Sequence, residues 1–185
     1  MSAVALERLC ADLARPPAGL EVEDLSLDSR TVRAGGLFLA CAGRRTHGLA
    51  ALDEALRRGA RAVLWEPAPG VTPPTAASGV WMAPVAGLGR QASALADRFF
   101  DEPSRHMAIT GITGTNGKTT VAWLLAQAQR GAYLGTLGTG LPPDRVTPGE
   151  LTTADAVTVQ RQLAAVRAAG ADCVAMEVSS HALDQ

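Results

Sequence analysis

The chain has 185 residues, of which 47% are hydrophobic and 19% charged, with a formal net charge of −1. This length suits one domain or two small ones with a sizeable core, and the even charge balance offers no basic face to nucleic acid or to an anionic membrane. Three scattered cysteines (Cys10, Cys41 and Cys173), no basic-then-apolar leader and no apolar run of membrane-spanning length point to a cytoplasmic protein without a membrane span.

The elements predicted along the chain alternate between helix and strand, the pattern of an α/β fold. Residues 3–13 can form a helix, ended by the Pro/Gly stretch at 15–19. GLFLACA (36–42) reads as a buried strand. Leu49, Leu52 and Leu56 follow helical spacing with Gly59 as a C-terminal cap, and RAVLW (61–65) looks like the next strand. A Pro/Gly/Thr-rich loop (66–79) leads to a short apolar run at 80–85. Leu88, Ala92, Leu95 and Phe99 then mark a helix face that stops before Pro103. The boundary between two domains is expected in the 85–104 region. Beyond it, residues 106–112 form a strand feeding a glycine loop, and Val121, Leu124, Leu125 and Ala128 give the following helix one apolar face. Val159, Leu163 and Val166 mark a further helix closed by Gly170, and CVAMEV (173–178) is an apolar strand ending on an acid. A parallel sheet needs more βα units than this second half supplies, so the chain reads as part of something longer.

The stretch ITGITGTNGKTT (109–120) places glycines, a lysine and two threonines between a strand and a helix. Backbone N–H groups of a tight loop and of a first helical turn point at one spot, and with the helix dipole they bind phosphate. Gly114 and Gly117 permit torsions and close approaches that a Cβ would forbid. Lys118 can reach the β- and γ-phosphates, and the Thr119 hydroxyl can ligate Mg²⁺. The strict template GxxxxGK[ST] wants glycine at position 112, where isoleucine stands, so this is a variant loop. A glycine-rich turn with a surface lysine is the bland alternative, and the flanking strand and helix argue against it.

An acid at the C-terminal end of a neighbouring strand commonly holds the magnesium of such sites. Glu177 fits that role, the alternative being an ordinary strand-end charge. Ser179, Ser180 and His181 follow where ligands collect in α/β sheets, and His181 is either a substrate contact or a surface histidine. Thr152 with Asp155 matches the helix-capping pattern. GTLGTG (135–140) has the order GxxGxG rather than that of a dinucleotide fingerprint, and reads as a strand-end loop.

TGTNGKTT (113–120) resembles the ATP loop of the Mur ligases and their folylpolyglutamate synthetase relatives, including the departure from the strict template. LSLDSRTVRAGGLFLACAG (25–43), with Gly48 and GARAVL (59–64), is similar to the UDP-binding domain shared by the MurE and MurF types. MEVSSHALDQ (176–185) and the upstream LTTAD (151–155) resemble the MurE type. The resemblance implies a small N-terminal α/β UDP-binding domain (1–87). An incomplete P-loop-type central ATP-binding domain with a mainly parallel sheet (88–185) would follow. It further implies a monomeric, ATP- and Mg²⁺-dependent ligase of peptidoglycan synthesis, which joins a diamino acid (meso-diaminopimelate or L-lysine) to UDP-N-acetylmuramoyl-L-alanyl-D-glutamate through an acyl phosphate.

Carried over residue by residue, Gly114, Thr115, Asn116, Gly117, Lys118, Thr119 and Thr120 would hold ATP, with Lys118 and Glu177 catalytic and Thr119 and Glu177 on the metal. Leu27, Ser29, Arg44, Arg45 and Thr46 would contact the UDP part. Thr152, Thr153, Ser179 and Gln185 would contact the muramoyl dipeptide. The segment 126–134 is shorter than the family pattern, and the rest of the central domain and the C-terminal domain lie outside this sequence. Competing readings are a nucleotide or UDP-sugar binding module without catalysis, and a MurF-type ligase. A small P-loop kinase or a folate-type ligase would not need the N-terminal UDP-type domain.

Overall fold

Two apolar tetrapeptides, LFLA and AVLW, have no polar alternation, as expected of strands covered on both faces. In the computed structural model, which describes residues 3–43, 46–75, 78–148 and 154–179, they are the central strands of a parallel sheet and every residue in them is buried. The chain divides into two compact units, Met1–Phe99 and Phe100–Gln185.

The first unit opens with β1 (Val4–Ala5), α1 (Leu6–Cys10) and β2 (Glu21–Val22), and continues through β3 (Leu25–Ser26), β4 (Leu37–Ala40), α2 (Leu52–Arg57), β5 (Ala62–Trp65), β6 (Trp81–Pro84) and α3 (Leu88–Phe99). Strands β3, β4, β5 and β6 lie side by side in that order, all parallel, with Phe38 opposite Val63 and Ala40 opposite Trp65. Phe38, Val63 and Trp65 share a core with Ala55 of α2 and Val32. Helix α3 buries Leu88, Ala92, Leu95, Ala96 and Phe99, the stripe its spacing predicts. Its Arg98 donates to the Leu9 carbonyl (3.0 Å) and pairs with Asp12 (2.8 Å), tying α3 to α1.

Helix α1 is shorter than the 3–13 span expected from sequence. Val4 and Ala5 instead pair antiparallel with Val22 and Glu21, and the chain turns out of the helix where Leu13 and Ala14 both donate to the Cys10 carbonyl.

The second unit comprises β7 (Ala108–Ile112), α4 (Lys118–Ala128), β8 (Ala132–Gly135), β9 (Gly138–Leu141), β10 (Arg145–Thr147), α5 (Ala156–Ala168) and β11 (Cys173–Glu177). The sheet order is β10-β9-β8-β11-β7. Strands β8, β11 and β7 are parallel, and the β9–β10 pair extends them antiparallel. Alternation along the strands divides the sheet into two faces. Ala132, Leu134 and Val174 pack with Leu163 and Val166 of α5, while Tyr133 and Ala175 pack with Ala122 and Ala126 of α4.

Two expectations are corrected here. Helix α4 meets the sheet through Ala122 and Ala126, and the predicted apolar stripe turns outward at Val121 and Leu124, which are 53% and 59% exposed. The alanines allow a closer approach of helix to sheet than the larger stripe would. The cap of α5 is Asp155 itself, whose carboxylate accepts from the N–H groups of Val157 (3.0 Å) and Thr158 (3.1 Å). Thr152 lies outside the described residues.

Of the cysteines expected in the core, Cys10 is buried there, while Cys41 and Cys173 are half-buried. Burial pushes the Cys10 thiol up to about 11 and the Cys41 thiol to about 12, with the nearby Glu66 charge adding to the second. Since the thiolate is the nucleophile, native Cys10 should react with iodoacetamide at neutral pH some hundredfold more slowly than a free cysteine. Mass-spectrometric alkylation with and without denaturant checks this. Full labelling of Cys10 in the native chain would contradict it.

Candidate active site

The glycine loop leaves the C-terminal end of β7 and enters α4 at Lys118. Gly114 has φ +146° and Gly117 φ +76°, both in the region that side chains disfavour, so the loop's curvature depends on glycine at these positions. Thr113, Gly114, Thr115, Asn116 and Gly117 are exposed, and the first N–H groups of α4 have no intrahelical acceptors. The Lys118 ammonium donates to the Gly114 carbonyl (2.8 Å), arching over the loop whose amides could face an anion. This is the geometry of an anion cradle with a cation poised at its rim.

Strand β11 lies beside β7 in parallel register, with Glu177 opposite Ile112. This register carries Glu177 to the base of the loop, where its Oε2 accepts from the Thr119 hydroxyl at 2.8 Å. The carboxylate is 1% exposed. Its Oε1 accepts from the Tyr133 hydroxyl and from the Thr136 N–H (2.9 Å), and its Oε2 also accepts from the Thr136 hydroxyl (3.3 Å). Burial pushes the Glu177 carboxyl up, but these hydrogen bonds together outweigh burial and hold it below the usual carboxylate range. Burial first, and the bond to Glu177 second, push the Tyr133 phenol up to about 12. A buried carboxylate, ionised and held by neutral donors, therefore sits next to a threonine hydroxyl at the glycine loop.

Tyr133 and Thr136 are site residues that the sequence reading did not single out. The GTLGTG run, read there as a strand-end loop, is a hairpin in which Thr136 and Leu137 turn the chain from β8 into β9, and the turn delivers Thr136 to Glu177. In the first unit, Leu27 and Ser29 lie just after β3. Ser29 is buried, its hydroxyl donates to Glu54 (2.7 Å) and its carbonyl accepts from the Val32 N–H (3.4 Å). Thr46 is exposed beside His47, whose ring accepts from the Leu49 N–H (3.0 Å) and bonds the Glu66 carbonyl (2.8 Å). Ser179 is half-buried two residues past Glu177. Arg44, Arg45, Thr152, Thr153, Ser180, His181 and Gln185 lie outside the described residues.

Residues 21–99 match the family profile described as "Mur ligase family, catalytic domain", and residues 112–185 match "Mur ligase middle domain". The chain belongs to the Mur ligase family. Among curated relatives, this Mur ligase chain is 50% identical over 173 residues to the UDP-N-acetylmuramoyl-L-alanyl-D-glutamate--2,6-diaminopimelate ligase of Ectopseudomonas mendocina (strain ymp), covering 91% of this chain and 35% of that protein. It is 49% identical over 182 residues to the protein of the same name from Alkalilimnicola ehrlichii (strain ATCC BAA-1101 / DSM 17681 / MLHE-1), covering 92% of this chain and 35% of the relative. A solved structure bearing that name superposes with a TM-score of 0.74 at 29% identity, over 99% of this chain and 37% of the other. A MurF ligase from Thermotoga maritima in complex with ADP shares the fold, at TM-score 0.56 and 22% identity over 86% of this chain and 32% of its own. The chain thus spans about 35% of the length of the curated relatives it matches.

Proposed function

We propose that this chain carries the UDP-substrate and ATP sites of a MurE-type ligase, which joins a diamino acid to UDP-N-acetylmuramoyl-L-alanyl-D-glutamate in cytoplasmic peptidoglycan synthesis. Such a role serves cell-wall biogenesis, and through it cell shape and division. The observation that carries this reading is the meeting of Thr119 and Glu177 beneath a lysine-bearing phosphate loop. The relatives' names favour 2,6-diaminopimelate over lysine as the amino acid. Residues 1–87 would take the UDP end through Leu27, Ser29, Arg44, Arg45 and Thr46, and residues 88–185 the ATP. Thr152, Thr153, Ser179 and Gln185 would face the muramoyl dipeptide, and the protein would act as a monomer.

The reaction gives each group a task. The substrate carboxylate is a poor acylating agent, so its oxygen attacks the γ-phosphorus of ATP, and ADP leaves. The amino group then attacks the acyl carbon, phosphate departs, and the nitrogen loses its proton to leave an amide. Lys118 and the loop amides would gather charge on the transferring phosphoryl group. A divalent cation suits the residues present, because Thr119 offers hydroxyl lone pairs and Glu177 an ionised carboxylate whose named donors are all neutral. When bound there, Mg²⁺ would offset the charge of two anions brought together.

Calorimetric titration of the chain with Mg-ATP and, separately, with the UDP-muramoyl dipeptide is expected to show one site for each. An absence of ATP binding would sink the reading. The intact ligase should release ADP only when both substrates are present. The share of the relatives that the chain spans favours a second reading for the chain by itself, a binding module that holds both ligands without forming the amide. Ligand binding without amide formation in the same preparation would identify that case.

A further inference from the structure

We infer that Tyr133 is a positioning residue for the metal, its hydroxyl fixing Glu177 so that the second carboxylate oxygen stays on Thr119. This inference rests on the Mg-ATP reading of the site. Tyr133 is fully buried, and its ring meets Trp123 edge-on, with centroids 5.2 Å apart at 75°. Packing alone would be served by phenylalanine. The hydroxyl does more, since it donates to Glu177 Oε1 and accepts from the Leu137 N–H (3.2 Å). The Thr136 N–H donates to the same Oε1 at 2.9 Å. With Oε1 clasped by a strand residue and by the following turn, rotation of the carboxylate is blocked, and Oε2 faces the Thr119 hydroxyl.

Gly135 is a second, independent sign that strand β8 is shaped around this contact. It lies two residues from Tyr133, on the same face of the strand. A Cβ there would stand 2.6 Å from the Tyr133 oxygen and 2.7 Å from the Glu177 carboxyl carbon. Only glycine leaves room for the hydroxyl and the carboxylate to close on each other. Partners that orient a metal's ligands without touching the metal typically change its affinity by about 10–100-fold.

The test uses Tyr133→Phe, which keeps the ring and removes the oxygen. Binding of a fluorescent, non-hydrolysable ATP analogue is measured with and without MgCl₂, alongside thermal melting. Analogue binding without Mg²⁺ should stay within about twofold of the unsubstituted chain, while half-saturating Mg²⁺ rises about tenfold or more. Unchanged Mg²⁺ half-saturation overturns the inference. So does a parallel loss of melting temperature and of metal-free binding, which would make the hydroxyl a fold contact only. Gly135→Ala provides a second route, because it keeps the hydroxyl but intrudes on its contact with Glu177. It should raise the Mg²⁺ requirement too, and an unaltered requirement counts against the proposal. If the unsubstituted chain binds the analogue with no response to Mg²⁺, the metal reading itself falls and takes this inference with it.

Discussion

Lys118→Ala is expected to lower the rate of amide formation by the intact ligase by about 10²–10³-fold, the usual cost of removing one preorganised contact to developing charge. The ammonium is the one side-chain cation on the loop, and it donates to the Gly114 carbonyl at 2.8 Å. Nothing in the core depends on it, so stability should stay within about 0.5 kcal/mol, as for surface substitutions generally. The pairing of a large kinetic loss with an unmoved melting temperature separates chemistry from folding. Lys118→Arg should rescue little, because a planar guanidinium cannot occupy the space of a compact ammonium curled over a tight loop. Steady-state assays with both substrates saturating make the measurement. Near-normal turnover in Lys118→Ala would refute the phosphate assignment.

The glycine loop between β7 and α4 was legible because its pattern is local. Cradling an anion needs glycine torsions, a cation and a hydroxyl at fixed offsets, and TGTNGKTT supplies them within eight consecutive residues. Glu177 was legible for a related reason, as an acid closing an otherwise apolar strand. Tyr133 was not, because AYLG looks like any core strand. Its meeting with Glu177 depends on β8 lying next to β11, a neighbour relation between segments about forty residues apart that no local pattern encodes. Thr136 was hidden for the same reason, in a turn whose glycines advertised flexibility rather than a contact.

Some of the fold was read one turn askew. The spacing of Val121, Leu124, Leu125 and Ala128 is a sound apolar stripe, but of its large side chains only Leu125 packs on the core, beside Ala122 and Ala126, while Val121 and Leu124 face outward. Periodicity states that a helix has faces, and packing distance decides which face is used. Residues 3–13 lost their first turn to a strand pairing with Val22 and Glu21, a long-range competitor invisible to helix propensity. By contrast, the α3 stripe and the two fully apolar strands of the first sheet were read directly, since in them local pattern and tertiary demand agree.

Glu177→Gln should act on both stability and metal dependence. Donors from Thr119, Tyr133 and Thr136 converge on the carboxylate, and an amide of the same shape accepts only through its oxygen. With its oxygen in the place of Oε1 the amide keeps the Thr136 N–H and Tyr133 donors. Its NH₂ then meets the hydroxyls of Thr119 and Thr136, which can rotate to accept, so what is lost is the charge on the acceptor. Exchanging charge-assisted for neutral hydrogen bonds costs about 1 kcal/mol, which lowers the melting temperature of a unit this small by roughly 4–8 °C. The response to acid should change as well. Because the Glu177 carboxyl is held below its ordinary value, its contribution is present above about pH 4.3 and disappears as pH falls through the lower folded-state value. The glutamine variant, already without that contribution, should show a shallower loss of stability on acidification. It should also bind the ATP analogue equally well with and without Mg²⁺, since the ionised oxygen beside Thr119 is gone. Thermal melts from pH 7 to pH 3, paired with Mg²⁺ titrations, test these outcomes together. A variant that melts like the unsubstituted chain and still responds to Mg²⁺ would remove Glu177 from the site.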